Sequence, residues 1–203
     1  MLQSAAGPTM SLMPNNLPHV AAEAILYAKK EIEAYGVPDM LHFEFSLEKA
    51  KWLADVLGAD VDLVSIGVAM MDVKLGQAFQ EKRVREHRAM SLLAARQFLS
   101  PFHLPTEVES IVFNAVEAHH GDIPFQSIEA EICANADCYK FIHPKGVFLY
   151  LSVLGKRLSN FQECLDQAEA KMDEKMRIVS LFVVKKELEP FYKTFKQYFE
   201  LSR

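Results

Sequence analysis

The chain reads as an all-α protein built as a single helical domain. Two observations carry the helical part of this expectation. Apolar residues recur at helical spacing in almost every segment. The segments are also bounded by helix signals: Asp39, Thr106 and Ser127 at starts, and Gly36, Gly58 and Gly121 at stops. Size fits one domain, because 203 residues, 50% of them hydrophobic, are enough for a sizeable core.

Residues 1–16, "MLQSAAGPTMSLMPNN", show no periodicity and are expected to form a loose tail. "HVAAEAILYAKKEIEAYG" (19–36) predicts a first helix that stops at Gly36. "DMLHFEFSLEKAKWLADVLG" (39–58) predicts a second, capped by Asp39 and stopped by Gly58. "DVDLVSIGVAMMD" (60–72) is apolar nearly all round, which predicts a central buried helix. Residues 73–85 are polar and read as loop. "EHRAMSLLAARQFLS" (86–100) is an amphipathic helix ended by Pro101. "TEVESIVFNAVEAHH" (106–120) opens with a capping box from Thr106 to Glu109. "SIEAEICANADCYKFI" (127–142) is capped by Ser127. Two or three further helices fill 145–203, with Pro190 bending or dividing the last. The expected organisation is a tail over 1–16, a helical domain over 17–144 and C-terminal helices over 145–203 packed on that domain.

Charge narrows the function classes. A formal net charge of -5 argues against sequence-independent binding to nucleic acid, which needs a basic face. The densest basic run, "EKRVREHR" (81–88), is diluted by Glu81 and Glu86 and reads as a solvated loop and helix start. Every apolar run is far shorter than the ~20 residues that span a bilayer, so no membrane partner is expected. The N-terminus lacks a charged n-region and a continuous apolar stretch, so no secretory signal is expected. Cys133, Cys138 and Cys164 form no CxxC pair and read as reduced thiols, which predicts a cytoplasmic protein.

The chemically capable residues fall on the helices. His42 lies in the second, Asp72 ends the third, His87 opens the fourth, His119 and His120 close the fifth, and Asp137 sits in the sixth. Singly, each has an ordinary structural explanation. Yet Asp72 at a helix C-terminus opposes the helix dipole. Asp137, among Ala134, Ala136 and Cys138, reads as a partly buried carboxylate that needs a cation or hydrogen bonds. Imidazoles and carboxylates converging from several helices are how helical bundles build metal sites. Such ligands suit Mn, Fe, Ni, Co, Zn or, where carboxylates dominate, Mg. His103 and His143 have no spacing that favours a site role, and His19 reads as surface. The aromatic-rich "PFYKTFKQYFEL" (190–201) reads as a packing seam.

Five stretches in order carry a resemblance to a known family. "HFEFSLEKAKWLADVLGADVDLV" is similar to its opening, in which a metal-binding His begins a helix leading to an "LA…GAD.DLV" turn. "VAMMDVKLG" occupies the place of "AALLHDIGK". "EHRAMSLLAARQFL" is like its "H…SA..A..FL" helix. "LPTEVESIVFNAVEAHHGD" resembles the segment ending in "HH", and "SIEAEICANADCYKF" resembles "S.EAKI..DAD.LD". The chain from about His42 to Phe141 thus resembles the HD-domain superfamily of helical, metal-dependent phosphohydrolases.

The resemblance implies a site residue by residue. His42 matches the first metal His, Asp72 the Asp of the His-Asp pair and Asp137 the distal metal Asp. His87, His119 and His120 match histidines that bind a second metal or the substrate phosphate. Asp72, His87 and His119 are thereby the implied catalytic residues. His87, His120 and, near the place of the family's phosphate-holding Lys, Lys74 are the implied substrate contacts. There are two departures. Met71 stands where the name-giving His belongs, and a thioether is a poor substitute for imidazole on a hard ion. Lys74 comes one place early, with Leu75 in register. The implied function is metal-dependent hydrolysis of a small phosphate ester or nucleotide. The alternative is a catalytically degenerate HD module with a nucleotide- or protein-binding, regulatory role. A homo-oligomer contact is a further role open to residues 145–203.

Overall fold

The computed structural model describes residues 16–203, so the tail expected over 1–16 lies, Asn16 apart, outside the described residues. The architecture is all-α, as the spacing predicts. The helices are α1 (Leu17–Tyr35), α2 (Met40–Leu57), α3 (Val61–Met71), α4 (Leu75–Gln80), α5 (His87–Leu99), α6 (Thr106–Ala118), α7 (Ile128–Ile142), α8 (Pro144–Arg157), α9 (Phe161–Ile178) and α10 (Phe182–Leu201). No helix of the described residues is long and apolar enough to cross a membrane.

Two helices form the centre. α3 is buried at every residue from Leu63 to Met71 and packs against α1, α2 and α6. Its tight seat depends on Gly67, where an added Cβ would fall 2.6 Å from Cys133 Sγ and 3.1 Å from Ala115 Cβ. α7 is buried through Lys140 and is flanked by α2, α6 and α9. Around this pair, α8 lies on α7, α9 and α2, and α10 closes over α9 and α7.

Most boundary signals act as their chemistry dictates. Asp39 accepts from the Leu41 amide, and Ser127 accepts from Ala130 N–H. Gly36 and Gly58 end α1 and α2 in the left-handed conformation. Three expectations need correction. Residues 73–85 are not all loop, because α4 forms there, with Gly76 and Ala78 buried and its packing on α1 and α5 overriding a polar composition. The capping box does not form: α6 starts at Thr106 itself, behind Pro105, whose carbonyl takes the amides of Val108 and Glu109. Pro190 does not divide α10, which runs through it.

Candidate functional site

Three helix ends and two helix interiors bring the expected residues to one cavity of about 290 Å³. Its wall includes His42 from α2, Asp72 after α3, His87 from α5, His119 and His120 after α6, and Asp137 from α7. Asp39, Lys140, Arg157, Lys171 and Lys175 complete its charged lining. Six of the sequence-expected site residues are thus brought together. Lys74 is not: its ammonium pairs with Glu31 at 2.8 Å and sits over the Tyr27 ring, away from the cavity wall. Met71 also lies off the wall, 2% exposed within the apolar core.

The histidine side of the cavity has the character of a metal site. His87, His119 and His120 are, among the described residues, the one group of histidine, cysteine and acidic side chains whose ligand atoms all lie within 4.8 Å of one another. His87 and His119 each place Nδ1 2.7 Å from a backbone carbonyl, of Val84 and Val116 respectively. The carbonyl can only accept, so Nδ1 carries the proton and Nε2 keeps its lone pair. That tautomer is the one a metal-ligating histidine adopts. His119 Nε2 is buried without a hydrogen-bond partner. Asp72 Oδ1 stands 3.5 Å from His119 Nε2 and 3.6 Å from His87 Nε2, and His120 Nε2 stands 3.3 Å from His87 Nε2. Neighbouring ligands of an ion held at about 2.1 Å in a tetrahedron are about 3.4 Å apart, so these separations suit one ion. Burial lowers the His87 imidazole below its usual range. Burial, with His119 and Lys175 nearby, pushes His120 down to about 3. Both rings are therefore neutral and available as ligands near neutral pH.

The opposite side differs in kind. Lys140 Nζ sits 2.5 Å from Asp137 Oδ1 and 3.3 Å from Asp72 Oδ2, and Lys175 Nζ sits 2.6 Å from Asp137 Oδ2. Both ammonium groups are buried, 4% and 2% exposed by residue. Burial alone would raise the two carboxyls, but Lys140 holds Asp72, and Lys140 with Lys175 holds Asp137, well below the usual range. The same pairing raises both lysines against their own burial, so all four groups are charged. His42 Nε2 lies 3.1 Å from the Gly146 carbonyl and so donates to it. A divalent ion shared by His42, Asp72 and Asp137, as the resemblance implies, does not fit this arrangement. Two cations already occupy Asp137, and Nε2 of His42 is spent on a backbone bond. The residues fit an ion only on the histidine side.

Lys140 and Lys175 are the functional residues that sequence reasoning passes over, yet both leave a trace. Lys140 falls on the final Asp of the "DAD.LD" pattern. Lys175 falls on the buried stripe of α9, in line with Ala168, Met172 and Ile178.

The site predicts a pH dependence. The folded-state pKa values of His87 and His120 lie below the ordinary value of about 6.5, so the unfolded chain binds more protons just below that value. Stability is therefore full above about pH 6.5 and falls as pH drops toward the folded-state values. The depressed carboxyls of Asp72 and Asp137 cost stability only below about pH 4, so the window from about 6.5 to 5 reports the buried histidines, to which His42 and His143, also lowered by burial, add. In chelator, the melting temperature should fall across that window, and His120→Asn should flatten the slope. A flat wild-type profile would show that these rings are not buried neutral.

No family model matches the chain. It is 26% identical over 136 residues to Ribonuclease Y of Fusobacterium nucleatum subsp. nucleatum, and likewise to Ribonuclease Y of Clostridium novyi. Those matches cover 67% of this chain and 25% of each relative, so the chain spans about a quarter of the length of the curated relatives it matches. Among solved structures, Bacillus subtilis YpgQ in complex with ADP superposes with a TM-score of 0.64 at 16% identity, covering 92% of this chain and 94% of that one. A second structure of Bacillus subtilis YpgQ gives 0.63 at 16%, covering 92% and 95%. The chain is therefore similar in sequence to part of Ribonuclease Y and shares its fold with YpgQ.

Proposed function

We propose that the chain is an HD-type phosphohydrolase module whose cavity takes a small phosphate ester, with a nucleotide as the favoured ligand. The observation that carries the reading is the histidine group beside Asp72, with two Nε2 lone pairs fixed inward by carbonyl-bonded Nδ1 atoms. Similarity to Ribonuclease Y supports a phosphodiester- or phosphate-directed family, and the YpgQ fold, seen there with ADP, supports a nucleotide. His87, His119 and His120, with Asp72 at their edge, are the residues that would hold a divalent ion. Such an ion supplies Lewis-acid polarisation of a phosphoryl group.

The chain's own residues do the rest. Asp72 is fixed between the histidines and Lys140, which keeps it ionised and oriented. Arg157 and Lys171 line the cavity from α8 and α9 and give an incoming phosphate a favourable approach. Phe141 and Tyr150, edge to face at 5.0 Å, form an aromatic wall on which a base can rest. The ligand set suits Mn, Fe, Ni, Co, Zn or, where carboxylates dominate, Mg.

Protein purified without chelator should hydrolyse a member of a panel of nucleoside phosphates and aryl phosphates when supplied with Mn, Co, Ni or Mg. His119→Gln should lower that turnover by at least about 100-fold, since even partners behind a metal ligand cost about 10–100-fold. Full turnover in His119→Gln would sink the proposed role of the histidine group. A second reading is favoured by Met71 and by the lysines on Asp137: a catalytically degenerate module that binds a nucleotide or a protein partner in a regulatory role. It predicts saturable nucleotide binding with no turnover on any member of the panel.

A further inference from the structure

The cavity holds two buried lysines, of which the phosphohydrolase reading uses only Lys140, and that only to hold Asp72. Each arrives from a different helix, Lys140 from α7 and Lys175 from α9, and their charged ends meet on one carboxylate. Lys140 does more than pair. It bridges Asp137 and Asp72 from a single nitrogen, as an ion between two carboxylates would.

We propose that the ammonium groups of Lys140 and Lys175 replace a divalent ion between Asp72 and Asp137, so that this half of the centre is charged from within the chain, excludes metal and binds phosphate without it. The inference rests on the reading of the cavity as a cation and phosphate centre.

Charge supports it first. Two carboxylates face two ammonium groups, so the set is neutral as it stands. A divalent ion added beside them would leave two positive charges in a buried place, a costly arrangement. Ligands support it next. Met71 packs into the core, and His42 Nε2 donates to Gly146 O, so no neutral ligand is left to draw an ion in. Donor count supports the phosphate. An ammonium has three N–H groups. Lys140 donates one to Asp72 and pairs with Asp137 by charge, Lys175 likewise pairs with Asp137, and Glu174 stands 3.9 Å from Lys175. Donors remain on both lysines, and both side chains line the cavity. The design gives up the Lewis acidity of a second ion and keeps its charge.

The test counts metal rather than turnover, so it separates this inference from hydrolysis. Wild-type protein is equilibrated with excess MnCl2, desalted and analysed for Mn per chain. The result expected is no more than one ion. Lys140→Met with Lys175→Met, checked for helicity, should gain one further ion, and its melting temperature should rise more with Mn than that of wild type. Two ions on the wild type overturn the proposal. So does a folded double variant that gains none even when Met71→His is added to supply the missing imidazole. Should the double variant not fold, a calorimetric titration of wild type with inorganic phosphate and with ADP in EDTA decides. Binding that persists in chelator, and weakens at least tenfold in the milder Lys175→Gln, is expected. Binding that vanishes in chelator contradicts the inference. A wild type with no metal at all would remove the histidine-held ion from the proposed function and leave this inference standing.

Discussion

Asn in place of Asp137 is expected to lower the free energy of unfolding by about 3–5 kcal/mol, the cost of breaking a buried ion pair from one side. The physical reason is that Lys175 is left with only a long pair to a half-exposed carboxylate. Its residue is 2% exposed, and Glu174, the next acid, stands 3.9 Å away. Lys140 keeps Asp72, so the loss falls mainly on Lys175. Removing both ends of the pair should recover part of the loss, because a buried pair replaced by apolar groups can be near neutral. Asp137→Asn with Lys175→Met should therefore be more stable than Asp137→Asn alone. Urea unfolding near neutral pH measures all three. A loss below about 1 kcal/mol in the single variant would mean that water reaches Lys175 and that the pair is not buried in the sense argued.

The second large effect is expected at Gly146. An added Cβ would sit 2.4 Å from the Tyr139 carbonyl oxygen and 2.5 Å from the carbonyl carbon and oxygen of Lys140. These are backbone atoms of α7, which cannot rotate away. Gly146→Ala must therefore push α8 off α7, at a cost toward the upper end of the ~1–3 kcal/mol typical of overpacking. The consequence reaches the site, because the Gly146 carbonyl anchors His42 and α8 carries Tyr150 and Arg157 to the cavity wall. ADP or phosphate binding should weaken along with stability. Unfolding and ligand titration on the same preparation check both. Unchanged values would show that α8 can shift without disturbing the cavity.

The helices were legible because their signals are local. Apolar spacing marks α3 as central, and Asp39 and Ser127 act through hydrogen bonds within three residues. α4 was not legible, since Gly76 and Ala78 acquire their meaning only from α1 and α5. The box from Thr106 to Glu109 has the right letters, but Pro105 sets the backbone before it. In the site, the histidines and aspartates can be named because they follow one another in the order and spacing of a known motif set. The lysines were missed for a physical reason. A lysine in a helix ordinarily reads as a solvated residue, and only the carboxylates that meet it across the fold show that it is buried. Lys74 is the converse: sequence position suggested a phosphate contact, while Glu31 and Tyr27 draw its side chain to α1.

The cavity is proposed to be divided, with room for a metal on the histidine side and a cation supplied by the chain on the other. Anomalous diffraction at the Mn edge from crystals soaked in MnCl2 tests that division most directly. The account predicts one peak, within bonding distance of Nε2 of His87, His119 and His120, with Lys140 and Lys175 still on Asp137. A peak among His42, Asp72 and Asp137, with the lysines displaced, would contradict it.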